Sequence, residues 1–259
     1  MKTSTVQIRV VTWNIHKGVR GMGLRRQLQI HDMVHAVEQF DADIVCLQEV
    51  RSVNRKEAAH FTRWPELPQA DYLAPEGYEA VYRSNAITRH GEHGNALLTR
   101  WPVLRHQHED MSDHRFEQRG LLHSVVMVYG IEVHTIVVHL GLIAASRHRQ
   151  LMQLNEFIER EVPVDALLVI AGDFNSAKSP IKWAQAAIKN RAPFMLLLPS
   201  HGSRQWATFP SQLPLVQLDH IFMSQGKIIA CNVPRGKVWA KMSDHLPLIM
   251  DFEINIQNL

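Results

Sequence analysis

One feature constrains this chain more than any other: its apolar runs keep ending in the same kind of residue. Val10-Val11-Thr12-Trp13 ends at Asn14, Val45-Cys46-Leu47-Gln48 at Glu49, and Thr135-Ile136-Val137-Val138 at His139. Leu168-Val169-Ile170-Ala171-Gly172 ends at Asp173, with Asn175 two residues on. Val216-Gln217-Leu218 runs into Asp219, and Ser243-Asp244-His245 opens the last apolar run. Runs this short read as buried strands. A single Asp or Asn after a strand is usually a turn former or a helix cap. Several coincident ends are different, because packed strands bring their ends to one rim and gather carboxylates, amides and imidazoles there. Like-charged carboxylates in one cleft repel unless a cation neutralises them. Oxygen-rich donors in a chain with only two cysteines select Mg²⁺ or Mn²⁺ over zinc.

The remaining periodicity predicts mixed strands and helices. Strands are expected at Arg9–Ile15, Ile44–Gln48, Tyr78–Tyr82, Asn95–Thr99, Gly120–Tyr129 and Ile131–His139, the last two joined by a Tyr129-Gly130 hairpin turn. Further strands are expected at Leu167–Ala171, Leu218–Met223, Lys227–Cys231 and Leu246–Ile254. Gln27–Phe40 reads as a helix with Leu28, Met33, Val34 and Val37 on one side, and Ser146–Glu161 as another, with Leu151, Leu154 and Ile158 on one face. Pro180–Lys189 reads as a third helix, and Arg51–Ala74, polar and punctuated by proline, as an irregular or partly helical surface excursion. No linker, charge block or internal repeat divides the chain, so residues 1–259 are expected to form one domain. Strands outnumber helices and hairpins alternate with crossovers, which points to an α/β sandwich of two sheets with helices outside.

Composition narrows the function. Lys and Arg exceed Asp and Glu by 28 to 25, a formal charge of +3, mildly suited to a polyanionic substrate or an acidic membrane surface. Sixteen histidines invite metal or acid–base chemistry. The first residues carry no apolar signal-peptide core and no run is long enough to span a bilayer, so a cytoplasmic protein without a transmembrane segment is expected. Cys46, inside an apolar run, reads as a buried thiol. No Walker A sequence occurs, Gly21-Met22-Gly23 lacks the third glycine of a dinucleotide site, and there is no Gly-x-Ser-x-Gly elbow or His-Glu-x-x-His pair.

Taken in order, Thr12-Trp13-Asn14-Ile15, Leu47-Gln48-Glu49-Val50, Gly94-Asn95-Ala96-Leu97-Leu98, Val138-His139-Leu140, Gly172-Asp173-Phe174-Asn175, Leu218-Asp219-His220-Ile221 and Ser243-Asp244-His245-Leu246-Pro247-Leu248 resemble the motifs of the endonuclease/exonuclease/phosphatase superfamily, which is DNase I-like. Trp13–Gly18 and Arg119–His123 are similar to segments of its bacterial members. The resemblance implies a four-layer αββα sandwich of two mixed, mainly antiparallel sheets and Mg²⁺-dependent hydrolysis of a phosphate ester, with Mn²⁺ as the other candidate metal. It implies Glu49 as principal metal ligand with Asn14 and Asp244 beside it, Asp173 positioning or deprotonating the attacking water, and Asn175 bonding the phosphoryl oxygens. His245 would contact the phosphate, kept basic by Asp219, and His139 would assist the leaving oxygen. His220 follows Asp219 where many members carry an aromatic residue or Arg, and is expected to tune substrate contact.

The substrate is less defined by the sequence. Arg20, Arg25, Arg26, Arg51, Arg55, Lys56, Arg63, Arg147 and Arg149 are candidates to grip a polyanion, and Trp64, Trp206 and Phe209 to stack on bases or dip into lipid, or else to close loops over the core. Arg119 is a candidate second phosphate clamp, with an ion pair to Glu117 as the alternative. Three functions follow: a metal-dependent phosphodiesterase acting on nucleic acid, a nuclease; the same chemistry on a phospholipid headgroup or small phosphate ester, with peripheral membrane contact; and a non-catalytic interaction protein of the same fold. Intact Glu49, Asp173, Asn175, Asp219, Asp244 and His245 argue against the third. A monomer is expected.

Overall fold

The apolar runs become strands whose alternate residues face two different layers, and that alternation builds the molecule. The computed structural model describes residues 5–21, 25–178, 180, 183 and 204–255. Along the chain β1 is Thr5–Asn14, β2 Val19–Arg20, β3 Gln27–Leu28, β4 Ile44–Val50, β5 Glu79–Thr88, β6 Gly91–Thr99 and β7 Val103–Asp110. There follow β8 Gly120–Val128, β9 Ile131–His139, β10 Leu167–Asp173, β11 Asp219–Met223, β12 Lys227–Asn232 and β13 Leu248–Asn255. The helices are α1 Ile30–Phe40, α2 Arg55–His60, α3 Gln69–Leu73, α4 Ala144–Glu161 and α5 Trp239–Met242.

Two sheets carry the core. One has strand order β12-β13-β1-β4-β6-β5, the other β11-β10-β9-β8-β7. Only β1–β4 and β9–β10 pair in parallel within them, the other pairings being antiparallel. Successive side chains of a strand point to opposite faces. Val10, Ile44 and Cys46 therefore meet Leu122, Val137 and Val169 between the sheets. Val11, Trp13, Val45 and Leu47, one residue along, pack outward on Met33, Val37 and Phe40 of α1. On the far side Ile136, Val138, Leu168 and Ile170 meet Leu151, Leu154, Phe157 and Ile158 of α4. Each such side chain contributes about 1.5–3 kcal/mol on burial, so the outer helices are held by their apolar stripes. The result is the expected four-layer αββα sandwich of two mixed, mainly antiparallel sheets.

Several boundaries differ from expectation. The first helix begins at Ile30, because Gln27–Leu28 instead pairs with Val19–Arg20 as a small hairpin. β7 was not expected: Val-Leu-Arg-His-Gln-His-Glu-Asp has no apolar face, and it pairs through its backbone at the edge of its sheet, next to β8 alone. Edge strands carry such charges routinely. The Arg51–Ala74 excursion does contain two short helices, α2 capped by the Asn54 side chain on the Glu57 N–H. Tyr129 and Gly130 both adopt positive φ, 51° and 84°, the signature of a type I′ hairpin turn. The helix expected at Pro180–Lys189 lies, apart from Pro180 and Trp183, outside the described residues. No helix among the described residues is long and apolar enough to cross a membrane.

Candidate active site

Strand register brings the polar ends together. Asp173, the last residue of β10, is paired with His139 on β9 to one side and with Asp219 on β11 to the other, so three ends share one level. In the other sheet the parallel pair β1–β4 ends with Asn14 beside Gln48. Glu49 follows within a bulge, where the register with β6 shifts between Leu47 and Val50. A bulge re-aims the side chain it carries. The Ser243–His245 loop is tied to the same rim: Ser243 Oγ donates to the Asn14 carbonyl (2.7 Å), and Trp13 Nε1 donates to the His245 carbonyl (3.0 Å).

Asp173 is fully buried and its Oδ2 is a common focus. Asn14 Nδ2 donates to it at 3.1 Å, and the Nε2 atoms of His139 and His245 each stand 3.6 Å away. Its Oδ1 accepts the Asn175 N–H at 2.9 Å. Burial, reinforced by the charge of Asp219, raises the Asp173 carboxyl above its ordinary range. On the far side of His245, Nδ1 lies 2.9 Å from Asp219 Oδ2. Burial acts to lower the His245 pKa, but the Asp219 charge and hydrogen bond, with Asp173 and Asp244, outweigh it and push it up to about 10. His139 has no such partner: burial, then the charge of Arg119, holds it at about 4. The two imidazoles facing one carboxylate oxygen therefore differ, His245 being cationic and His139 neutral at pH 7.

A second cluster lies beside the first. Glu49 Oε2 is 2.7 Å from Lys17 Nζ and 3.9 Å from His16 Nδ1, which also stands 3.3 Å from Asp244 Oδ2. Burial acts to raise Glu49, but Lys17, then His139 and His16, hold it well below the usual carboxylate range. Asp244 is lowered: burial opposes the shift and the His16 hydrogen bond drives it. Both carboxylates thus stay ionised and converge on cationic groups. Oxygen donors aimed at a point already filled by positive charge are the chemistry a hard divalent ion requires, so the residues fit such an ion. Asp173, Asp219 and His245 also offer ligand atoms within 4.8 Å of one another, but there His245 Nδ1 is already engaged by Asp219. The backbone around these groups is strained: His16, Lys17, Glu49 and Asn175, none a glycine, have φ of 45°, 62°, 56° and 50°. Left-handed conformations cost such residues on the order of 1–2 kcal/mol each.

The eight residues expected to hold the metal and perform the reaction thus gather at one rim. Asn175 turns its Nδ2 to the Leu140 carbonyl, 2.8 Å away. The residues expected to touch substrate divide. Arg119 is held by both Glu117 (3.2 Å) and the Leu140 carbonyl (3.2 Å), so the ion-pair alternative is realised, at the margin of the site. Arg149 is exposed on α4 and bound to Asp113. His220 does not line the cleft: it is buried, stacked on Phe222, with Nε2 bonded to the Ser176 carbonyl at 2.9 Å. As Asp219 turns toward His245, alternation along β11 sends its neighbour to the opposite face. Of the other cations, Arg26 and Arg51 share Glu57 and cover Phe61 and Trp64, and Arg147 donates to the Gly141 and Leu142 carbonyls. Trp206 packs on the core, whereas the Phe209 ring lies 4.9 Å from His245. Three neighbours were not anticipated, His16, Lys17 and His93, the last half-buried and pushed down to about 4 by burial and Lys17. Their signal was adjacency: His16 and Lys17 follow Asn14, and His93 precedes Gly94-Asn95.

Comparison with known proteins agrees with this fold. The sequence profile of the Endonuclease/Exonuclease/phosphatase family matches residues 11–245. The protein YbhP of Escherichia coli (strain K12) is 33% identical over 260 residues, covering 98% of this chain and 99% of its own. Among solved structures, the endonuclease/exonuclease/phosphatase from Beutenbergia cavernae DSM 12333 superposes with a TM-score of 0.71 at 18% identity, over 96% of this chain and 72% of that one. D. rerio TDP2 complexed with single strand DNA product gives 0.66 at 16% identity, over 95% and 98%. At those identities the superpositions show a shared fold.

Proposed function

Since the chain belongs to the endonuclease/exonuclease/phosphatase family and is a hydrolase of phosphate ester bonds, we propose that it cleaves a phosphodiester by in-line attack of water, with Mg²⁺ as cofactor. The observation that carries this reading is the convergence of Asn14, His139 and His245 on one oxygen of Asp173.

Each group then has a task that its environment suits. Glu49 and Asp244, with Asn14 beside them, hold the cation, which when bound supplies charge stabilisation to the phosphoryl oxygens. Asp173, its affinity for protons raised by burial, orients the attacking water and accepts its proton. His245, kept cationic by Asp219, binds the phosphate and opposes the negative charge that develops on it. Asn175 spends one N–H on Leu140 and offers its second to the phosphoryl group. His139, neutral, hydrogen-bonds the leaving oxygen. The substrate is assigned to nucleic acid, as in the TDP2 complex with single strand DNA product; a phospholipid headgroup or a small phosphate ester is the competing class.

Plasmid nicking and hydrolysis of bis(4-nitrophenyl) phosphate with Mg²⁺ test the reading, using wild type and His245→Ala purified in parallel. Both activities in wild type, lost in the variant, are expected. Activity that survives His245→Ala unchanged refutes the site. Hydrolysis of the small ester without nicking keeps the site and moves the substrate to lipid or small phosphates.

A further inference from the structure

Gln69 opens α3 at 1% exposure, next to Ala70 and Leu73, whose apolar side chains pack with Ile15, Ile30, Leu47 and Val50. A buried amide is destabilising unless it is hydrogen-bonded, and Gln69 is bonded at both ends. Its Nε2 donates to the Lys17 carbonyl at 2.8 Å, and its Oε1 accepts the Arg51 N–H at 2.9 Å. A carbonyl only accepts and a backbone N–H only donates, so these partners also fix which way the side-chain amide points. The Gln69 backbone N–H donates in turn to the Arg51 carbonyl at 2.9 Å.

The two segments bonded to Gln69 are those that shape the surroundings of Glu49. Lys17 lies in the turn after Asn14, where His16, Lys17 and Gly18 are left-handed in succession, with φ of 45°, 62° and 68°. Arg51 lies two residues after Glu49, beyond the bulge. Strained backbone persists only where its surroundings over-determine it. Here Asn14 Oδ1 accepts the His16 N–H, the Ile15 carbonyl accepts the Gly18 N–H, and Gln69 holds the Lys17 carbonyl between them. A Cβ on Gly18 would stand 2.7 Å from Gln69 Nε2, so the close approach of the turn to this amide requires glycine there. We propose that Gln69 is a positioning residue of the metal centre: it clamps the His16–Gly18 turn to the chain leaving the Glu49 bulge, and so sets how tightly the site takes its divalent cation. The inference rests on the phosphoesterase reading above, which assigns the cation to Glu49. Gln69 acts at a remove, through the backbone of Lys17 and Arg51, and groups that orient a metal's ligands typically carry about 10–100-fold in metal affinity.

The test compares full-length Gln69→Met, which keeps the length of the side chain and loses both bonds, with Thr99→Val. The Thr99 hydroxyl is buried too: it donates to the Asp43 carbonyl and accepts the Trp101 N–H, at the end of β6 that pairs with Ile44, away from Glu49. The control therefore also forfeits two side-chain hydrogen bonds, but far from the site. Calorimetric titration of the metal-free proteins with Mn²⁺ should show binding about tenfold weaker in Gln69→Met than in wild type, and unchanged in Thr99→Val. The Arg51 N–H, released from Oε1, should exchange faster with solvent in the NMR spectrum of Gln69→Met. Equal Mn²⁺ affinity in Gln69→Met and wild type overturns the proposal, as does an equal loss in Thr99→Val or an Arg51 N–H that exchanges no faster. Should Gln69→Met not fold, Gln69→Asn, one methylene short of spanning both partners, replaces it with the same expectations. Saturating Mn²⁺ should return kcat on bis(4-nitrophenyl) phosphate to the wild-type value, because the loss is confined to affinity for the ion; a kcat that stays low overturns the proposal. Wild type that binds no Mn²⁺ overturns the clamp and the metal assignment together. Mn²⁺ affinity that depends on Gln69, in a wild type that hydrolyses no ester, supports the clamp and refutes the reaction.

Discussion

Two imidazoles, His245 and His123, are equally secluded at 5% and 3% exposure, yet they are displaced in opposite directions. His245 donates to a carboxylate and rises to about 10; His123 lies between β8 and α4, and burial, with His134 and Arg105, takes it down to about 4 against the weaker pull of Glu161. Gln107 Nε2, which can only donate, stands 3.3 Å from His123 Nδ1, so the proton sits on Nε2 and is donated to His134 Nδ1 at 3.1 Å. The surroundings of His123 thus hold a neutral ring, whereas those of His245 hold a charged one. Seclusion alone penalises charge; the partner decides the sign.

Converting the first kind into the second should have the largest effect. Asp219→Asn removes the carboxylate that keeps His245 cationic, so its ring titration, followed by NMR, should move from above to below the ordinary value, with hydrolysis falling about 10³-fold. A ring that stays high would mean that Asp173 or Asp244 sets its charge instead. Glu49→Gln keeps the shape but removes a charge, and should cost about 10²-fold or more in hydrolysis together with most Mn²⁺ binding measured by calorimetry. Retained Mn²⁺ binding would shift the cation to Asp173, Asp219 and His245.

The two rings also open opposite pH windows. His245, raised from 6.5 to about 10, contributes stability that is complete below about 6.5 and fades as pH climbs toward 10. His123, lowered to about 4, takes up its proton more readily unfolded, so stability is lost as pH falls from about 6.5 to 4. In urea titrations His123→Phe should remove up to about 3 kcal/mol of that acid-side loss and leave the alkaline slope alone. An unaltered acid slope would assign it to His93, His139 and His220, which are lowered to about 4 as well. The smallest effect concerns the scaffold: Trp13→Phe leaves the His245 carbonyl without its indole N–H and should cost about 1–3 kcal/mol in urea unfolding.

Sequence pattern carried the residues whose position follows from alternation and strand ends. Asn14 and Asp173 are legible because each terminates a buried run, and Leu151, Leu154 and Ile158 because helical spacing sets one face; Asp219 instead opens the buried strand β11, after an exposed to half-buried Val216–Leu218 segment. What escaped depends on distant parts of the chain. β7 is polar from Arg105 to Asp110 and exists because β8 offers its backbone a partner. Whether His220 faces the cleft or the packed side depends on which face of β11 Asp219 takes, and that is fixed by His245, 26 positions away in sequence. Lys17 escaped because its contact with Glu49 requires two consecutive left-handed residues, a geometry that no propensity favours for His and Lys.

The pairing of β1 with β13, from Thr5 opposite Asn255 to Thr12 opposite Leu248, bears on how such a protein comes into being. β1 waits for β13, and Asn14 and Glu49 meet Asp244 and His245 only when β13 is laid down beside β1. On a ribosome, then, the nascent chain carries half a site from the time β4 emerges until β13 does. The order of the strands thus sets the order of assembly: the site cannot close before β13 has been made.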